Sequence, residues 1–428
     1  MDDSQFGNLA AWIADAGLRG QSETEMLAEF CQRIVALGVP LTRGNVYIDT
    51  LHPIYGGHMY DWQAATAEPA DRREIRDGDQ RRRRHAGSAV GANEHRYRPQ
   101  LDDDQIARWQ RSPFFRLIET GESLLRRRVT AASVTEFSIL EDLRADGMTE
   151  YVAIIDRFGA DVVIGDMDCV YSSWITDLPH GFSDAEVAAL RRLTPFLALA
   201  IKSAMLMRIA RTLVETYLGR DPAIRVLKGS IMRGTSASLE AVLWFSDLHD
   251  YTRISDRARP DQIIPLLDDY ADTIISAIYG QGGDVLKLVG DGTLAIFTAE
   301  DRGDACRAAL TAARTALSGV KELKQRRLAS DLPATDMYLG LHVGEVVYGN
   351  FGSRERLDFT VVGPAVNEVS RIAAMCRLVD QPILISSAFA AAIGSERDQL
   401  VSVGRYALRG VGLPQDLFTL DGPFVPDG

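Results

Sequence analysis

Cysteine is scarce in this chain of 428 residues. Its four cysteines, Cys31, Cys169, Cys306 and Cys376, stand far apart with no C-x-x-C pair. That excludes a disulfide framework or a zinc ribbon and fits reduced thiols. Basic excess is missing too: the net charge is -12, against the positive footprint that a nucleic-acid binder needs. The one basic cluster, Arg81 to Arg84 followed by His85, sits among Asp71, Glu74, Asp77 and Asp79 and reads as a solvated loop. Long apolar runs are absent as well. The most apolar stretch, Phe196 to Ile209, is short for a membrane span and is broken by Lys202 and Arg208. Met1-Asp2-Asp3-Ser4 lacks the basic flank and apolar stretch of a signal peptide. The expectation is a cytoplasmic protein with no membrane span and no nucleic-acid partner.

What is present is globular in balance, with 46% hydrophobic and 25% charged residues. The length exceeds what one core usually organises, so two domains are expected. Between Glu23 and Leu37, Met26, Leu27, Phe30, Ile34, Val35 and Leu37 recur at helical spacing until Gly38-Val39-Pro40, which predicts an opening helix. Arg43 to Leu51 reads as a strand, and the polar stretch from Ala64 to Gln100 as a long loop. A helical segment around Phe114 to Ile118 and strands at Tyr151 to Phe158 and Asp168 to Ile175 follow.

Ser183 and Glu186 have the spacing of a capping box, so a long helix should begin there and run to about Tyr217. Leu190, Leu193, Phe196, Leu197, Leu199 and Ala200 could face the first domain's sheet. Met205, Ile209, Leu213 and Tyr217 could instead form a seam with a second chain. In its order of elements, and in the stretch from Asp142 to Tyr151, this first region resembles a GAF-like sensor domain. The resemblance carries no ligand: Trp62, Trp109 and Trp174 read as core before they read as the wall of an effector pocket. His52, His58, His95 and His180 lack metal spacing and read as surface or hydrogen-bonded residues.

The second half concentrates the chemistry. Leu243 to Thr252 begins as a buried strand, from Glu240 to Phe245, and reaches Asp247 just before a helix whose N–H groups favour phosphate. Gly283 to Phe297 reads as a hairpin with Asp291 at its tip between two glycines. Each carboxylate alone is weak evidence, since strand-end aspartates are often caps and Asp-Gly turns are common. Together they could hold a pair of Mg²⁺ or Mn²⁺ ions with places left for phosphates.

A third block runs from Gly340 to Asn350 and from Arg356 to Ile372. With Phe-x-Asp-Leu-x-x-Tyr-Thr and Lys-x-x-Gly-Asp-Gly in the same order, the region from about Ser236 to Leu420 resembles the catalytic domain of class III nucleotidyl cyclases. The resemblance implies an α+β chain with a sensor at 1–182, a helical linker at 183–235 and a ferredoxin-like catalytic domain at 236–428. It also implies conversion of ATP to cyclic AMP with two Mg²⁺ or Mn²⁺ ions per site. Asp247 and Asp291 match the metal carboxylates, Lys287 and Asp358 the pair that recognises adenine, Asn367 the ribose-orienting residue and Arg371 the residue that meets charge on the transferring phosphate. Arg409 stands where the family often has a phosphate-contacting lysine. A lysine can donate to adenine N1 and an aspartate can accept from the exocyclic amine, while the guanine carbonyl would be repelled. In the family the metal carboxylates come from one subunit and the other groups from its partner, so a homodimer is implied, with an effector of unknown identity at the sensor.

Two positions depart from the family pattern: Gly363-Pro364 replaces Gly-Asp, and His249-Asp250 replaces a basic-glycine pair. The rival readings are a guanylate or relaxed-specificity cyclase, a degenerate nucleotide-binding regulatory module, and a polymerase-like or diguanylate-forming enzyme.

Overall fold

The computed structural model describes residues 1–64, 91–97, 103–131 and 136–421. The basic cluster at 81–85 lies outside them. Contacts divide the chain into two units, Met1–Leu213 and Val214–Gly428.

The first unit contains α1 (Asp3–Leu18), α2 (Glu23–Ala36), β1 (Arg43–Asp49), β2 (Gly57–Gln63), β3 (Ala92–Tyr97), α3 (Asp103–Gln110), α4 (Pro113–Thr120), β4 (Leu124–Arg128), α5 (Ser138–Ala145), β5 (Glu150–Arg157), β6 (Cys169–Thr176) and most of α6 (Asp184–Leu218). Its strands pair antiparallel in the order β3-β2-β1-β6-β5-β4. Both faces are covered, so alternate residues of one strand enter different cores. Val152 and Ile154 of β5 join Met26, Phe30, Leu190 and Ile201. Tyr151, Ala153 and Ile155 join Phe114, Leu117 and Leu140 instead.

Three expectations change here. The opening helix is α1, whose Asp2–Gln5 capping box precedes Leu9, Ile13 and Ala16. The stretch read as one loop holds β3, which pairs with β2. On α6 the predicted cap is present, with Glu186 N–H donating to Ser183 Oγ at 3.3 Å. Its faces differ from expectation: Met205 and Ile209, assigned to a seam between chains, are 0% and 3% exposed in the first unit's own core, whereas Phe196 and Leu199 are 40% and 66% exposed. The length of the helix, Asp184–Leu218, matches the expected run from Ser183 to about Tyr217. By length and composition it could cross a membrane, with an 18-residue window of mean hydropathy 1.5, yet 44% of that window is buried within the protein.

The second unit contains α7 (Arg220–Leu227), β7 (Ser236–Leu248), α8 (Tyr251–Ser255), α9 (Pro260–Gly280), β8 (Asp284–Val289), β9 (Gly292–Phe297), α10 (Arg302–Ala329), β10 (Met337–Gly352), β11 (Leu357–Val362), α11 (Pro364–Val379), β12 (Ile383–Ser386), α12 (Ser387–Ala392), β13 (Leu400–Tyr406) and β14 (Gln415–Leu420). The segment from β7 to β10 is a β-α-β-β-α-β unit whose strands lie in the order β10-β7-β9-β8, the ferredoxin-like arrangement. β12, β14 and β13 extend the sheet beyond β10, and β11 folds back on the far end of β10. α9, α10 and α12 fill one face through Leu266, Tyr270, Ala309, Ala313 and Phe389. α11 covers the other with Val369 and Ile372. It sits close, because a Cβ on Gly340 would come within 2.7 Å of the Val369 carbonyl oxygen and the Ala373 nitrogen. α7 belongs to this unit: the Tyr348 hydroxyl donates to Asp221 at 2.7 Å.

Candidate active site

β7 runs further than the apolar pattern suggested, so Asp247 lies within the strand, opposite Tyr338 of β10. Asp291 comes from the two-residue turn between β8 and β9, where Val289 faces Gly292. Gly290 takes the first turn position at φ +64, which a side chain would oppose. The turn carries Asp291 back to β7, and its Oδ2 accepts from the Leu248 N–H at 3.2 Å.

The two carboxyl groups face one another. Burial, a hydrogen bond with Asp291 and the charge of Asp291 together push Asp247 up to about 7. Such a pair keeps a proton because two anions this close repel. An all-oxygen donor set with uncompensated negative charge fits a hard divalent cation. Among the described residues, no group of three or more histidines, cysteines or carboxylates joins in a metal cluster.

Beside the pair lies a cavity of about 310 Å³, lined by Asp247, Asp291, Tyr251, Thr252, Tyr338 and Arg377, with Ser370 and Ala373 of α11 on its wall. α8, which follows Asp247, is only five residues long, so the expected phosphate-binding helix start is slight.

The other predicted residues lie elsewhere. Lys287 of β8 and Asp358 of β11 form an ion pair, both partly exposed. Asn367 is exposed on α11, and one turn later the Arg371 guanidinium packs over Gly410, where a Cβ would be 3.4 Å from Nη1. Arg409, beside it in the chain, is exposed. None of Lys287, Asp358, Asn367, Arg371 and Arg409 lines the cavity beside Asp247 and Asp291. Within one chain the predicted residues are therefore divided: Asp247 and Asp291 share the cavity, and Lys287, Asp358, Asn367, Arg371 and Arg409 lie outside it. Sequence reasoning missed Arg377, whose only signal was its place six residues beyond Arg371 on the same helix.

Residues 236–421 match the family model described as the adenylate and guanylate cyclase catalytic domain. Adenylate cyclase 1 of Rhizobium meliloti (strain 1021) is 29% identical over 157 residues, covering 36% of this chain and 23% of that protein. The adenylate cyclase of Anabaena cylindrica is 31% identical over 153 residues, covering 36% of this chain and 30% of that protein. The match thus spans less than a third of either relative's length. The adenylyl cyclase CyaB from P. aeruginosa aligns with a TM-score of 0.40 at 22% identity, over 44% of this chain and 96% of that one. The guanylyl cyclase Cya2 aligns with a TM-score of 0.39 at 28% identity, over 44% and 94%.

Proposed function

We propose that the chain, whose residues 236–421 match the adenylate and guanylate cyclase catalytic domain model, is an adenylate cyclase that makes cyclic AMP and pyrophosphate from ATP as a homodimer. The observation that carries this reading is the split site. Asp247 and Asp291 share a cavity that Lys287, Asp358, Asn367 and Arg371 do not enter. Two copies related by a twofold axis would bring each half-site against its complement and generate two equivalent centres.

In this reading Asp247 and Asp291 hold Mg²⁺ or Mn²⁺, two ions per centre, and the bound metal supplies charge neutralisation at the phosphates and acidifies the attacking hydroxyl. Lys287 donates to adenine N1 while Asp358 accepts from the exocyclic amine. Asn367 orients the ribose so that its 3′-hydroxyl lies in line with the α-phosphate, and Arg371 meets the negative charge that develops there. Arg409 adds a second cation toward the phosphates. The site therefore works by positioning and electrostatics.

Residues 1–182 are proposed as a GAF-like sensor for an unidentified small-molecule effector, 183–235 as the helical linker and 236–428 as the catalytic domain of a cytoplasmic enzyme. Supporting the sensor reading is a six-stranded antiparallel sheet with helices on both faces. Trp62 and Trp174 do not support a pocket role, since both are packed into the core.

The test is product identification by mass spectrometry from ATP and GTP, each with Mg²⁺ or Mn²⁺, beside an Asp291→Ala control. Cyclic AMP that disappears in the control supports the proposal; predominant cyclic GMP overturns the reading of Lys287 and Asp358. For the shared site, Asp247→Ala and Arg371→Ala chains, each inactive, should recover activity when mixed, because one of the two centres in the heterodimer is intact. A verified heterodimer with no recovery sinks that claim.

A further inference from the structure

Among the described residues that line the cavity beside Asp247 and Asp291, Arg377 is the only cation. It comes from the same helix as Asn367 and Arg371, but six residues beyond Arg371, about 120° away around the helix. One helix thus turns Asn367 and Arg371 away from this cavity and Arg377 toward it.

Arg377 is held by Asp250, with Nη2 3.2 Å from Oδ1, and by a hydrogen bond with the Tyr338 side chain. Asp250 sits at φ +51, a left-handed conformation that disfavours most side chains and tolerates aspartate. It stands at the N-terminal boundary of α8, yet its side chain makes no capping hydrogen bond. Its carboxylate faces Arg377 instead.

We propose that Arg377 binds the polyphosphate tail of the nucleotide in its own subunit's carboxylate pocket, and that Asp250 is the partner it leaves in order to do so. This rests on the cyclase reading given above. With Asp247 and Asp291 engaged by metal, Asp250 remains as like charge beside a phosphate tail, and Arg377 offers a planar fork matched to phosphate oxygens. Its side chain is 61% exposed, and an exposed ion pair contributes little stability, so the exchange from carboxylate to phosphate is easy. Tyr338 keeps the guanidinium near the cavity during the exchange. The proposed contact is distinct from Arg371, which meets the transferring phosphate from the partner subunit.

The experiment is calorimetric binding to the full-length chain with Mg²⁺ and without turnover. The probes are inorganic pyrophosphate, 3′-deoxy-ATP, which lacks the attacking hydroxyl, and 3′-deoxy-AMP, which lacks the tail. Arg377→Ala should weaken pyrophosphate and 3′-deoxy-ATP by roughly tenfold, the loss of one charge-assisted contact, and leave 3′-deoxy-AMP unchanged. Arg377→Lys should recover part of the loss. Asp250→Asn should tighten both tail-bearing probes several-fold by releasing Arg377. In turnover, Arg377→Ala should raise KM for ATP more than it lowers kcat. Equal weakening of all three probes would assign Arg377 a structural role and overturn the proposal, as would unchanged pyrophosphate binding. A wild-type chain that cyclises no nucleotide fails the cyclase reading; a wild-type chain that does, with Arg377→Ala binding pyrophosphate normally, fails this proposal alone.

Discussion

Asp247 and Asp291 show how a pair of residues acquires properties that neither has alone. The Asp247 carboxyl is raised from 3.8 to about 7, so the folded, metal-free protein binds a proton that the unfolded chain releases. The sign follows from linkage. Below pH 3.8 the group is protonated in both states and costs nothing. As pH rises from there toward 7 the unfolded state gains, and stability falls. With a chelator present, the melting temperature of the wild type should therefore fall relative to that of Asp247→Asn as pH rises from 4 to 7, and Mg²⁺ should restore it at pH 7.5. Parallel melting curves for the two proteins across that range would show that the carboxyl groups do not interact as described. The sequence carried both residues plainly, since a strand-end aspartate and a glycine-flanked turn are local features. It did not carry their mutual contact, which depends on β7 and β9 pairing between residues about fifty apart in the chain, from Ser246↔Thr293 to Val242↔Phe297.

At the level of elements, β10 and α11 form the frame that places Asn367 and Arg371. Gly340 lets the helix lie against the strand, and a Cβ there would strike backbone atoms that cannot rotate away. Gly340→Ala should cost about 1–3 kcal/mol of stability, as overpacking does. It should also depress activity by shifting Asn367 and Arg371, while metal-dependent stabilisation through Asp247 and Asp291 persists. Melting curves with and without Mg²⁺, together with an activity assay, check both halves; full activity would show that α11 can move without penalty. This frame was legible only through the family resemblance of the blocks from Gly340 to Asn350 and from Arg356 to Ile372, and the close approach of α11 to Gly340 was not. Less was legible in the first unit. β3 has only a weak apolar pattern and is recognised by its pairing with β2, while α6 offers apolar residues on several sides. Periodicity could not say whether Met205 and Ile209 met another chain or their own sheet. The sheet won because Trp174, Phe30 and Ile201 already form a core there for them to complete.

For the whole molecule, the proposed sharing of centres between two chains would make activity a property of assembly. Specific activity should fall on dilution as dimers separate, in step with the mass measured by light scattering. An activity per chain that is constant while the mass drops to that of a monomer would be incompatible with shared centres. The free chain also bears on selectivity. Lys287 and Asp358, the groups assigned to the adenine edge, already satisfy one another. In the proposed site a base would therefore bind by substitution, replacing an existing ion pair. One that offers only a single matching group leaves the other residue to solvent, so it gains less than a base that matches both. In the proposed site the resting pair is thus a weak competitor, and selectivity rests on the contacts a base makes with both residues and not on the work of opening the pair.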